Sequence, residues 1–258
     1  METIKVIKIG GNIIDDQKSL DKFLELFSNI EGPKILVHGG GKIATEMAKK
    51  LDIPVKMKDG RRITDEATLD IITMVYAGKI NKSIVAKLQF NQCNAIGLTG
   101  ADANTIEANI RPVKAIDYGF VGDVIKVNTK TLELLISNNI TPVFCAITHN
   151  KKGQLLNTNA DTIATEIAIG FANSNKVELY YCFEKNGVLK DIKDDESVIE
   201  QIDTKSYKNL ISEGIIADGM LPKLNNCINA VNHNVTKVCI GKQDRLFSHK
   251  KGYTTIVK

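Results

Sequence analysis

The chain opens with Ile4-Lys5-Val6-Ile7-Lys8-Ile9-Gly10-Gly11-Asn12, and a second run, Lys34-Ile35-Leu36-Val37-His38-Gly39-Gly40-Gly41-Lys42, repeats its pattern. In each, an apolar, β-branched strand runs into glycines and a helical pattern follows. The first helix covers residues 19–29, with Leu20, Phe23, Leu24 and Phe27 on one face, and the second runs to about residue 51. Strand, glycine turn and helix in that order predict an α/β protein with a mostly parallel sheet. A glycine turn that opens a helix exposes backbone N–H groups at the positive end of the helix dipole, which suits an anion and above all a phosphate. A tight turn accounts for any single glycine, but three in succession exceed what one turn requires.

The alternation continues to the far end. Further strands are predicted at 95–99, 140–147, 176–182, 237–240 and 253–257, and helices at 129–137, 160–171, 204–213 and 220–231. Residues 100–128 read as hairpins. The longest helical pattern covers 65–88, where Ile72, Tyr76, Ile80, Ile84 and Leu88 recur every four residues. Such a helix packs on the sheet or forms a dimer interface. Ala172-Asn173-Ser174-Asn175 is the most linker-like stretch and divides an N-terminal lobe, 1–174, from a C-terminal lobe, 175–258.

Composition narrows the function. The 258 residues are 43% apolar and 25% charged, as in an ordinary globular protein. A net charge of +4 without a basic stripe, and 5% aromatics without Trp, argue against nucleic acid as a partner. No apolar run is long enough to span a membrane, and no signal-peptide core precedes the first strand. The five cysteines are odd in number, widely spaced and mostly within apolar runs, so they read as buried thiols of a reducing, cytoplasmic compartment. No spacing of His and Cys suggests a protein metal site.

Among the charged residues, Lys8 stands out. An ammonium at the inner end of a buried strand, directly before a glycine turn, is expensive unless it faces an anion or a partner, although a lysine at a strand end can also snorkel to solvent. Asp161 opens a helix after Asn157-Thr158-Asn159-Ala160, where the dipole alone justifies a carboxylate. Lys223 lies at the start of another, where the dipole disfavours a cation and a ligand or carboxylate is the expected partner. His38 either touches a ligand or positions the glycine turn. Glycine turns, isolated lysines and one aspartate describe a site for phosphoryl transfer, which needs alignment and positive charge more than covalent help. Gly39-x-Gly41-x-x-Ala44, with Asp59 further on, also matches a dinucleotide fingerprint. That match keeps a Rossmann-type, NAD-dependent dehydrogenase as an alternative, one that gives Lys8 and Lys223 no task.

Five segments in order, Ile7-Lys8-Ile9-Gly10-Gly11, Val37-His38-Gly39-Gly40-Gly41, Gly60-Arg61-Arg62-Ile63-Thr64, Asn157-Thr158-Asn159-Ala160-Asp161 and Asp218-Gly219-Met220-Leu221-Pro222-Lys223, span nearly the whole chain. Together they resemble the amino acid kinase family, and the Arg62 and Asn157–Asp161 segments resemble its acetylglutamate branch. The resemblance implies a three-layer αβα sandwich with an open, mostly parallel sheet and two lobes, the first for an acyl-amino acid and the second for a nucleotide. It implies transfer of the γ-phosphoryl of ATP to the side-chain carboxylate of N-acetyl-L-glutamate, in arginine biosynthesis. Lys8 and Lys223 would stabilise the moving phosphoryl from two sides, held in place by Asp161, with backbone N–H groups from Gly11 and Gly40. Gly41, Arg62 and Asn157 would seat the acyl-amino acid, Arg62 pairing bidentately with its α-carboxylate.

The nucleotide would lie over Glu184, Lys185, Asn186, Gly187, Val188 and Leu189 and over Ile215, Ile216 and Ala217. Mg2+ would arrive with ATP, held mainly by phosphates and water. The acceptor is already an anion, so no general base is required. Phe183-Glu184-Lys185-Asn186-Gly187 departs from the family's aspartate-containing turn. Arg61 and Lys58 add cationic charge near Arg62, as solvated surface charge or in favour of a more anionic acyl group such as succinyl. A non-catalytic relative that senses an amino acid is a further alternative, against which Lys8, Asp161 and Lys223 argue. Arginine-inhibited hexameric relatives carry an extra N-terminal helix for which Lys8 lies too near the start, so an arginine-insensitive homodimer is expected.

Overall fold

Ile4, Val6, Ile7 and Ile9 are all buried, so the first strand, β1 (Ile4–Ile9), must be covered on both faces. The computed structural model describes residues 2–58, 60–216, 220–247 and 252–258, and β1 lies inside its main sheet. Parallel neighbours flank it, β2 (Lys34–His38) on one side and β11 (Val177–Cys182) on the other. Beyond β2 come β8 (Thr141–Cys145) and the edge strand β5 (Ala95–Leu98). Beyond β11 come β13 (Lys237–Gly241), β14 (Thr254–Ile256) and β12 (Gln201–Ile202). Among the described residues, only the β13–β14 pair of this sheet is antiparallel. Direct pairing of β1 with β11 carries this sheet across the linker-like stretch at 172–175.

Helices cover both faces, making three layers. On one face lie α6 (Thr129–Ser137), α7 (Ala160–Ala172) and α9 (Leu221–Asn232). On the other lie α2 (Gln17–Ser28), α5 (Asn81–Phe90) and the short α10 (Gln243–Leu246), where Phe23 and Tyr180 both meet Phe247. The α7 helix is apolar nearly all round, with Ile163, Ala164, Ile167, Ala168 and Phe171 buried, as a helix wedged between a sheet and other helices must be. Lys34 is buried and donates to the carbonyls of Phe27, Ser28 and Ile30, which closes the C-terminus of α2. The α8 helix (Thr204–Ser212) begins with a capping box between Asp203 and Ser206.

Smaller elements gather at the carboxyl ends of the parallel strands. They are α1 (Gly11–Ile14), α3 (Gly41–Lys50), the hairpin of the exposed β3 (Lys56–Lys58) and β4 (Arg61–Ile63), and α4 (Glu66–Thr73). A second sheet, β10 (Leu155–Asn157), β9 (Ile147–His149), β6 (Ile106–Ile110) and β7 (Gly122–Val127), adjoins them and contains the hairpin expected within 100–128.

Two elements differ from the sequence expectation. The strand at 140–147 divides at Ala146, its second half joining the smaller sheet. The helix at 65–88 is α-helical only at its ends, with Met74–Ile80 π-helical between α4 and α5. The apolar repeat of four explains this, because on a regular α-helix it drifts by about 40° per step and would leave the buried face. Wider π turns cancel the drift, and Ile72, Tyr76, Ile80, Ile84 and Leu88 all remain buried.

Candidate active site

At the carboxyl end of β1, Lys8 sits between Val37 of β2 and Tyr181 of β11. Its Nζ lies 2.7 Å from Oδ1 of Asp161. From α9, Nζ of Lys223 lies 2.7 Å from Oδ2 of the same carboxylate. The three side chains are only 14%, 17% and 13% exposed in the order Lys8, Asp161, Lys223, so two ammonium groups share one carboxylate in a largely dehydrated place. One positive charge is left over, at the end of the strand that runs into the first glycine turn.

Asp161 is held from every side. Asn159 caps α7, its Oδ1 accepting from the N–H groups of Asp161 (2.8 Å) and Thr162 (3.2 Å). The Asp161 carbonyl accepts from the hydroxyls of Thr165 (2.8 Å) and Tyr181 (3.1 Å). Burial acts to raise the Asp161 pKa, but the charges and hydrogen bonds of the two lysines outweigh it and hold the carboxyl far below the usual carboxylate range. Burial lowers the pKa of Lys8, Asp161 opposes this, and Lys223 reinforces it. Lys223 at the helix start is offset by Asp161 and by the ring faces of Tyr181 and Phe183, whose centroids lie 5.0 and 5.9 Å from its Nζ. Tyr181 and Thr165 carried no sequence signal, because an aromatic in a strand and a threonine in a helix read as packing.

The two glycine turns flank this cluster. Gly10 opens α1 and its carbonyl accepts from Ile13 and Ile14 (3.2 and 3.3 Å). A Cβ on Gly39 would be 3.9 Å from Ala160, beside Asp161, an ordinary contact. A Cβ on Gly40 would be 2.3 Å from Cδ1 of Ile80 and 3.1 Å from the Tyr76 ring, and its φ of 152° is one that side chains rarely adopt, so crowding and backbone together favour glycine there. A Cβ on Gly10, Gly39 or Gly41 would make only ordinary contacts, and one on Gly11 would lie 3.3 Å from Oδ2 of Asp15. His38 positions the turn. It is fully buried, its Nδ1 donates to Gly39 O (2.8 Å), and its Nε2 accepts from Nδ2 of Asn81 (3.1 Å). Burial lowers its pKa to about 4, so the ring is neutral.

Arg62 is buried against α3, its Nη2 donating to Gly41 O (2.9 Å) and Thr45 Oγ1 (2.7 Å). Asn157 donates from Nδ2 to Thr64 Oγ1 (3.0 Å), and that hydroxyl donates to Arg62 O (3.2 Å). Arg62, Gly41 and Asn157 therefore form one connected group. On the other side, Glu184 is exposed and accepts from Asn12 Nδ2, which links α1 to the end of β11. Lys185 pairs with Asp195 at 2.8 Å. Asn186, Gly187 and Val188 are buried, and they shape the loop rather than present side chains. Asn186 donates to Asp195 O (2.8 Å), Val188 N–H donates to Thr254 Oγ1 (2.8 Å), and a Cβ on Gly187 would be 2.6 Å from that hydroxyl. Leu189 and Ile215 are partly buried and Ile216 is buried. Ala217 lies outside the described residues, as does Asp59.

A model of the amino acid kinase family matches residues 3–242. The chain belongs to the amino acid kinase family. Among its relatives, an acetylglutamate kinase of Cytophaga hutchinsonii is 54% identical over 95% of this chain and 94% of its own. An acetylglutamate kinase of Phocaeicola vulgatus is 50% identical over 100% and 99%. The fold is shared with a carbamate kinase from Giardia lamblia bound to AMP-PNP, at a TM-score of 0.71 and 15% identity over 99% and 98% of the two chains. Family membership does not favour the nicotinamide alternative, and Lys8 and Lys223 meet on one carboxylate, Asp161.

Proposed function

We infer that the chain transfers the γ-phosphoryl of ATP to the side-chain carboxylate of N-acetyl-L-glutamate, giving N-acetylglutamyl 5-phosphate and ADP, a step of arginine biosynthesis. The names of its relatives support this reading. The observation that carries it is the surplus positive charge of Lys8 and Lys223 around Asp161, between two glycine turns. A phosphoryl group in flight spreads negative charge over its oxygens, and two fixed ammonium groups stabilise that charge without reorganising. Asp161 positions both and does not accept a proton. Gly11 and Gly40 supply N–H groups to the phosphoryl, and Gly41, Arg62 and Asn157 seat the acceptor.

ATP lies along residues 184–189 and 215–217, so residues 1–174 serve the acceptor and 175–258 the nucleotide. It enters with Mg2+, held mainly by phosphates and water. Both Asp161 oxygens are ion-paired to lysines. Two further readings are proposals of the same kind. Five buried free cysteines support a reducing cytoplasm, and among the described residues no helix is long and apolar enough to cross a membrane. An exposed Phe90 at the end of α5 and an exposed Ile96 on the edge strand β5 support a homodimer.

A coupled assay of ADP release across N-acetyl-glutamate, N-succinyl-glutamate, glutamate, aspartate and carbamate tests the reading. N-acetyl-glutamate should be the acceptor on which release depends, and release that ignores it would refute the assignment. Lys8→Ala and Lys223→Ala should each lower turnover by roughly 10²-fold or more with the fold kept. Near-normal turnover in either variant removes the role given to that lysine.

A further inference from the structure

The π-helical stretch Met74–Ile80 does more than correct the drift of an apolar repeat. It lays Tyr76 and Ile80 together against the second glycine turn, where a Cβ on Gly40 would lie 3.1 Å from two carbons of the Tyr76 ring. Oη of Tyr76 is 3.8 Å, and Nη2 of Arg62 is 4.0 Å, from the point where a Cβ on Gly41 would stand. Phenol and guanidinium thus converge over one glycine from different elements. Tyr76 is only 6% exposed, and its ring fills the space under the turn.

The chemistry of the pair has a direction. A guanidinium has donors and no acceptor, so toward Arg62, which lies over the same glycine, the Tyr76 oxygen can only accept. The phenolic hydrogen is then free for another acceptor. Burial raises the pKa of the phenol against the opposing influence of Arg62, so the hydrogen stays in place at neutral pH. Arg62 commits Nη2 to Gly41 O and Thr45 Oγ1. A single carboxylate beside Gly41 satisfies both the phenol and the rest of the guanidinium.

We propose that Tyr76 is a specificity-determining residue for the acceptor, its hydroxyl donating to the same α-carboxylate that Arg62 binds. This rests on the acyl-glutamate reading of the site. The π turns are what deliver it, because they set Tyr76 over the glycine turn together with Ile80.

Tyr76→Phe keeps the ring against Gly40 and deletes only the O–H. The Michaelis constant for N-acetyl-glutamate should rise roughly tenfold or more, as for a lost hydrogen bond to a charged group. The Michaelis constant for ATP, kcat and the melting temperature should stay near wild type. A second acceptor, 4-acetamidobutyrate, keeps the acetamido group and the reacting carboxylate but lacks the α-carboxylate. With it, wild type and Tyr76→Phe should perform alike, which a purely structural defect would not allow. An unchanged constant for N-acetyl-glutamate in the variant, or an equal loss on both acceptors, overturns the role of Tyr76 and leaves the kinase reading intact. Wild-type enzyme inactive on N-acetyl-glutamate overturns the kinase reading and this role with it.

Discussion

An ammonium at the end of a central strand is stable only where an anion meets it, and Lys8 is met by a carboxylate that it shares with Lys223. Removing one partner of a buried charge pair costs far more than the pair contributes to folding, so the cluster reads as machinery rather than as a source of stability. His38, buried directly before the second glycine turn, makes a separate prediction. Above pH 6.5 its ring is neutral both folded and unfolded, and its contribution to stability is complete. As pH falls from 6.5 to about 4, the unfolded chain takes up a proton that the buried ring refuses, so stability declines, by about 3 kcal/mol at most. Urea unfolding near pH 7 and near pH 4.5 measures this decline, and His38→Gln should flatten it. An equal decline in the variant would assign the titration elsewhere. At this scale Lys8, Asp161 and Lys223 were legible because each sits where local physics leaves a charge unexplained or well placed. Tyr181 was not, because the carbonyl it holds belongs to another element, and Thr165 was not, because a threonine one turn along the same helix reads as packing.

The decisive element is the interrupted helix of residues 66–90. Its period of four was plain in the sequence, yet the arithmetic of 3.6 residues per turn, carried through, points to wider turns somewhere along it. The gain from those turns is the contact of Ile80 and Tyr76 with Gly40, which also has a positive φ of 152°. Gly40→Ala therefore meets both a crowded space and a backbone that side chains rarely adopt. We expect a loss of about 1–3 kcal/mol in urea unfolding, together with weaker binding of the acceptor. Gly39→Ala, whose Cβ meets Ala160 at 3.9 Å, should lose much less. Equal losses would show that the π-helical contact does not govern the turn. Helix boundaries were read to within a few residues wherever a cap or a glycine marked them, as at Asn159 before α7. The break between β8 and β9 carried no such mark, since an alanine within an apolar run looks like more strand.

At the scale of the molecule, sheet order does what no segment does alone. Because β11 pairs with β1, residues from the last third of the chain meet those of the first ten, and α7 and α9 share the face toward which Lys8 points. The other end of the sheet is an edge, β5, that carries an exposed Ile96 close to the exposed Phe90. An unpaired apolar edge invites a second strand. Sedimentation equilibrium should accordingly give about twice the 28.3 kDa of one chain, and Ile96→Lys should shift the mass toward the monomer. A wild-type monomer at micromolar concentration would dismiss the dimer.

The sequence by itself determined the layered α/β class, the two glycine turns and the charged residues that call for a partner. Each of those follows from local periodicity, turn stereochemistry or a charge out of place. Only the tertiary structure decided that Lys8 and Lys223 share one carboxylate, that Arg62, Gly41 and Asn157 form one group, and that Tyr76 stands over the turn beside Arg62. Contacts between elements depend on strand order and helix packing across the whole chain, and no short window of residues contains that information.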